Sequence, residues 1–133
     1  YQIHMITNVN EAKVAEILVL DDSNTNVVLL EAILAEQGYQ ITPALNAKEA
    51  FKAMEKKLPD LILLDLLMPK VSGYDFLHNL KENDHTRNIP IIVISAVTDQ
   101  QNINKIMDMG ADEFIGKPLD IEILLDKVSN ILK

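Results

Sequence analysis

The sequence predicts an α/β domain in which five parallel strands, each followed by a helix, form a sheet covered on both faces. Three observations predict it. Short apolar runs alternate with segments of helical spacing in the order (βα)5. The runs are continuous rather than alternating, as in Leu61-Ile62-Leu63-Leu64 and Ile91-Ile92-Val93-Ile94, which suits strands buried on both faces. No hairpin turn joins any two of them.

The predicted strands are Glu16 to Leu20, Gln40 to Ala44, Leu61 to Leu64, Ile91 to Ile94 and Glu113 to Ile115. Between and after them lie the predicted helices, Asn24 to Gln37, Asn46 to Lys57, Gly73 to Glu82, Gln100 to Met109 and Asp120 to Ile131. Gly38 and Gly110 sit just past periodic stretches, where a left-handed cap favours a residue without a side chain. Pro43 falls inside the second strand; because proline cannot donate to a ladder, that strand belongs at a sheet edge. In the last helix Ile121, Leu124, Leu125, Val128 and Leu132 form a stripe predicted to be buried, with Ile123 and Ile131 off it. Residues 1–11 read as a flexible leading segment and 12–133 as one domain; Ile3-His4-Met5 is either native chain or a cloning remnant ahead of a native Met5.

Composition narrows the function classes. With 48% hydrophobic residues in 133, the chain can bury a core without staples, and the lack of cysteine removes thiol chemistry, disulfides and thiolate metal sites. Lack of cysteine fits a cytoplasmic location without deciding it. Twenty acidic residues against twelve basic ones give a net charge of -8, an average field that repels nucleic acid and anionic membranes. No apolar run approaches the roughly 18 residues of a spanning helix, so no membrane role is expected.

In a parallel α/β sheet, ligands gather beyond the carboxyl ends of the strands. Asp21-Asp22 ends the first strand, Asp65 the third, Ser95 the fourth, and Lys117 follows the fifth. Three carboxylates in one crevice repel each other and imply a cation or a proton between them. Mg2+ matches best, being a hard ion that takes carboxylate, carbonyl and water oxygens and serves phosphate-handling sites. His4, His78 and His85 have no metal-ligand spacing and receive no role. Singly, each of these residues has a plainer reading: Asp21-Asp22 as a helix cap facing the dipole, Ser95 as a cap, Lys117 as a surface lysine. Together they supply a metal site, a nucleophilic carboxylate, a phosphoryl hydrogen-bond donor and a counter-charge, the parts needed for phosphoryl transfer onto Asp65.

Those motifs resemble the receiver domain of two-component response regulators, over Ile17 to Leu132. The resemblance rests on the acidic doublet Asp21-Asp22, on Asp65-Leu66-Leu67-Met68-Pro69 with Gly73, on Ser95-Ala96, and on Gly110-Ala111-Asp112-Glu113-Phe114-Ile115 leading to Lys117-Pro118. It implies a doubly wound sheet of order 2-1-3-4-5 flanked by five helices, the flavodoxin-like receiver fold. By the same resemblance, Asp65 is the phosphorylated residue; Asp22, Asp65 and the backbone carbonyl of Leu67 ligate Mg2+, and Asp21 acts through water. Ser95 would bond the phosphoryl oxygen, Lys117 would pair with Asp65 or its phosphoryl group, and Lys117-Pro118 would be cis. Ser95 and Phe114 would form the switch, Phe114 alternatively being plain strand-end packing.

The function so implied is a phosphoacceptor signalling domain, one that catalyses its own phosphorylation and slow dephosphorylation rather than a turnover enzyme. Its donor would be the phosphohistidine of a sensor kinase or a histidine phosphotransfer domain, and its output would pass to an effector protein or a fused domain. The fourth helix, fifth strand and fifth helix would form the output face, with Ile103, Ile106 and Met107 turned inward, Met109 filling core, and a homodimer left open. Leu67 and Val97, both apolar at positions where the family orients water, imply a long-lived phosphoryl state. Three rival classes are weaker. A flavin carrier lacks its phosphate loop, a phosphatase lacks a second general acid, and a docking module that is never phosphorylated would have no need of the acids, Ser95 and Lys117 together.

Overall fold

A computed structural model describes residues 14–65, 73–96 and 98–133. Along them run β1 (Glu16–Leu20), α1 (Asn24–Glu36), β2 (Gln40–Ala44), α2 (Ala47–Lys56), β3 (Leu61–Asp65), α3 (Gly73–Glu82), β4 (Ile91–Ser95), α4 (Gln100–Asp108), β5 (Glu113–Gly116) and α5 (Ile121–Ile131). Every strand pair is parallel, and the sheet order is β2-β1-β3-β4-β5. This is the doubly wound order expected above. The expected leading segment 1–11 and the start of the domain at Ala12 lie outside the described residues.

Side-chain alternation along the buried strands divides the core in two. Leu18, Leu20, Ile62, Leu64, Ile91 and Val93 pack with Ala50, Met54, Phe76, Leu77, Leu80 and Ile106, so α2, α3 and α4 cover one face. Ile17, Val19, Leu61, Leu63, Ile92 and Ile94 pack with Val27, Leu30, Leu34, Leu124 and Val128, so α1 and α5 cover the other. A run of consecutive apolar residues is what a strand with helices on both sides requires. Pro43 pairs with Val19 on an edge strand, where its missing N–H leaves no neighbour short of a donor.

Local chemistry sets the helix ends. Ser23, Asn46, Asp99 and Asp120 each accept a backbone N–H of the first turn of α1, α2, α4 and α5. Glu49 reaches back to the Leu45 amide at 2.8 Å, which makes the start of α2 reciprocal. Gly38 (φ 93°) and Gly110 (φ 112°) take the left-handed conformation that ends α1 and α4.

Three assignments of facing need correction. Ile121 is exposed, whereas Ile131 packs on the core beside Leu132. By angle, at about 100° per residue, Ile121 does share the face of Leu124. However, it lies in the first turn of α5, before Leu124, the first residue of the helix to be fully buried. Ile131 sits only about 20° from Leu124 on the same projection, inside the stripe rather than off it. Met107 is likewise exposed, while Ile106 is fully buried and Met109 packs against the core.

Candidate functional site

Strand order reverses between β1 and β3, and the acids lie at the carboxyl ends of these two strands. Three strands run one residue further than the apolar pattern predicts. Asp65, Ser95 and Gly116 are therefore strand residues, with Asp65 opposite Ile94 and Ser95 opposite Gly116 in the ladder. Polar residues at a strand's last position carry no apolar signal, which is why sequence patterning stopped short of them. The consequence is chemical: Asp65 and Ser95 are held by the sheet and are buried, at 6% and 1% exposure.

Asp21 is the first residue beyond β1. Its amide donates to Ala44 O at 3.1 Å, prolonging contact with β2. Its carboxylate is held from both sides: Oδ1 accepts from the Ser23 amide at 2.9 Å and Oδ2 from Asn26 Nδ2 at 3.3 Å. Asp22, by contrast, is exposed. Carboxylate oxygens of Asp21, Asp22 and Asp65 all lie within 4.8 Å of one another, close enough to share one small cation. Lys117 Nζ approaches Asp65 Oδ2 at 3.8 Å, and the Lys117 amide donates to Ser95 O at 3.0 Å. The Lys117-Pro118 bond is cis.

Burial of Asp21 pushes its carboxyl above the ordinary 3.8, and the negative charge of Asp65 adds to the rise; the Ser23 amide, Lys117 and Asn26 oppose it. The sign of the effect on stability follows. Between the ordinary value and the raised one, the folded chain holds more protons than the unfolded chain, so stability falls as pH rises through that window and stays lower above it. Asp21→Asn removes this charge and keeps an oxygen for Ser23. Without metal at neutral pH, the variant is expected to melt higher than the parent, and its gain in melting temperature on adding Mg2+ should shrink. Thermal unfolding with and without Mg2+ checks both, and a lower metal-free melting temperature would contradict the repulsion.

The structure brings Asp21, Asp22, Asp65 and Lys117 together, with Ser95 one ladder position beyond Ile94, the partner of Asp65. Leu67 and Val97 lie outside the described residues. Phe114 is half-buried and packs against the α2–α3–α4 side of the core. Sequence reading missed Asn26, which steadies Asp21 from five residues away, a spacing without a motif. It also missed a cavity of about 160 Å3 beside the acids, where Leu29, Leu30 and Leu119 meet Asp21 and Lys117. The donor set fits Mg2+ on its chemistry: three hard carboxylates, two of them buried, with no sulfur or imidazole among them.

Comparison with known proteins points the same way. Residues 17–129 match the family model described as response regulator receiver domain. Response regulator PleD of Caulobacter vibrioides is 35% identical over 119 residues, covering 90% of this chain and 26% of PleD. Protein PilH of Pseudomonas aeruginosa is 32% identical over 120 residues, covering 89% of this chain and 98% of PilH. The chain thus spans about a quarter of one relative and nearly all of the other. Among solved structures, the signal receiver domain of a signal transduction histidine kinase from Syntrophus aciditrophicus superposes with a TM-score of 0.81 at 36% identity, covering 89% of each chain. With an acidic trio at the switch point, a lysine against Asp65 and a family match across nearly all the described residues, the chain belongs to the response regulator receiver domains.

Proposed function

We propose that the domain takes a phosphoryl group from a phosphohistidine onto Asp65 in a Mg2+-dependent reaction and alters its surface for a downstream partner. The observation that carries this reading is the meeting of three carboxylates within 4.8 Å, one of which has an ammonium 3.8 Å away. Asp22, Asp65 and the Leu67 carbonyl would hold Mg2+. Asp21, whose two oxygens already accept hydrogen bonds from Ser23 and Asn26, would act through water. When bound, the metal neutralises charge on the acids and on the incoming phosphoryl oxygens.

The chain's own residues do the rest. An Asp65 carboxylate oxygen attacks phosphorus in line; the P–N bond breaks, and the imidazole leaves with its electron pair and takes up a proton. Lys117 balances the charge that grows on the equatorial oxygens. The ladder holds Asp65 and Ser95 against displacement, so little reorganisation is needed at the moment of transfer. Leu29, which is exposed, and Leu119 line the cavity shared by Asp21 and Lys117, an apolar margin that fits a donor protein's surface.

The phosphoryl group carries about -1.5 to -2 units of charge and replaces the carboxylate's single negative charge, a net gain of about -0.5 to -1 at Asp65 together with new acceptor oxygens. The Ser95 hydroxyl would bond the new oxygens, and Phe114 would respond as the aromatic of the switch. Donor kinase or phosphotransfer domain, effector protein or fused domain, a homodimer across the α4–β5–α5 face and a cytoplasmic setting all belong to this proposal. Among the described residues, no helix is long and apolar enough to cross a membrane. The test is incubation with acetyl phosphate. With Mg2+ the protein should gain the mass of one phosphoryl group, and with EDTA it should not; no gain with Mg2+ would leave the receiver fold as a docking surface only.

A further inference from the structure

Gly116 occupies the ladder position opposite Ser95 and precedes Lys117, so it stands between the two residues proposed to hold the phosphoryl group. A Cβ at this position would lie 2.9 Å from Thr98 Cγ2, closer than carbon atoms in folded proteins come. Thr98 follows Ser95 by only three residues. Its methyl therefore rests on bare β5 backbone at the rim of the site, in space that only a glycine leaves. Threonine carries two heavy atoms on Cβ and its χ1 is stiff, so moving the methyl away strains Thr98 or carries its backbone along.

We propose that Gly116 and Thr98 form a steric pair that sets how closely the chain after β4 lies against β5, and thereby the placement of Ser95 relative to Asp65 and Lys117. Both are positioning residues; neither reaches the reacting atoms. The Lys117 amide, which donates to Ser95 O at 3.0 Å, joins the two strands where the pair acts. Displacing Thr98 loads this hydrogen bond first. The rate consequence rests on the phosphoacceptor reading above; the geometric one does not.

The experiment is a compensation series on the whole chain. Gly116→Ala is expected to slow phosphorylation by acetyl phosphate about tenfold or more, since small misplacements of reacting groups are costly, and to weaken Mg2+-dependent binding of beryllofluoride. Mg2+ affinity itself should hold, because Asp21, Asp22 and Asp65 are untouched. Adding Thr98→Ser, which has a single heavy atom beyond Cβ and can turn it aside, should restore the rate to within about threefold. Thr98→Val, which keeps the bulk, should not. Parental kinetics in Gly116→Ala, or no recovery with Thr98→Ser, would overturn the pair. If Gly116→Ala melts too low to assay, the melting temperature becomes the readout, and failure of Thr98→Ser to raise it has the same force. Should the parent take no phosphoryl group, the reading of function falls by itself. Hydrogen exchange at the Lys117 amide then decides the pair: faster in Gly116→Ala and restored by Thr98→Ser supports it, unchanged overturns it.

Discussion

Asp65→Asn should abolish phosphoprotein formation altogether, with acetyl phosphate or a phosphohistidine donor, at any Mg2+ concentration. The amide keeps the shape of the carboxylate but its lone pairs are delocalised, and an acyl phosphate cannot form on it. No neighbour can substitute. Asp21 is turned toward Ser23 and Asn26, and Asp22 lies out in solvent without the lysine contact that Asp65 has. The same change removes a ligand and a unit of negative charge, so Mg2+ affinity should fall by about tenfold or more, since a close pair of unit charges at an effective dielectric near 20 is worth a few kcal/mol. Intact-protein mass spectrometry reads the first effect and Mg2+ titration the second. A phosphoryl group found on the variant would move the acceptor away from the β3 end and remove the basis of the proposed mechanism.

Lys117→Met should produce a different pattern, in which binding and chemistry separate. The variant keeps the apolar stem and loses the ammonium that lies 3.8 Å from Asp65 Oδ2. Charge developing on the phosphoryl oxygens then lacks its fixed positive partner, and the transfer rate should drop by about 10²-fold, the usual loss when one such stabilising group is removed. Mg2+ should bind as tightly or more tightly, because a competing cation has left the acids. Lys117→Arg should recover only part of the rate, since a planar guanidinium cannot place a point charge where the ammonium sits. Stopped-flow phosphorylation beside Mg2+ titration separates these effects. A parallel loss of rate and Mg2+ affinity would mean that Lys117 organises the metal site rather than the transferring group.

The two variants also bear on what the fold contributes. Asp65 and Ser95 are the last residues of their strands, and both sit in the parallel ladder. A carboxylate fixed this way reaches its attacking position without ordering a loop first. Asp21 achieves the same end by other means, with its oxygens held by the Ser23 amide and the Asn26 side chain. Among the described acids of the site, Asp22 is left exposed, open to an ion arriving from water.

Much of this was legible in the order of residues alone. Continuous apolar runs at regular separations specify a sheet with helices on both sides, since consecutive side chains of a strand point to opposite faces and both must find cover. Pro43 marks an edge by the donor it lacks. The acids, Ser95 and Lys117 could be placed on one rim because a parallel sheet brings all strand ends to the same side. What the linear pattern could not settle was every matter that depends on neighbours distant in sequence. Ile121 is exposed although its angle puts it on the face of Leu124, because it precedes the turn in which α5 reaches the core, whereas Ile131 packs there as its angle from Leu124 requires. Met107 is exposed because α4 turns Ile106 toward the core in its place. The hold of Asn26 on Asp21 and the contact of Thr98 with Gly116 have no signature, because spacing along the chain does not encode which side chain fills the space beside a particular backbone atom. Periodicity reports which face of an element is apolar; distances of closest approach arise only when the elements pack.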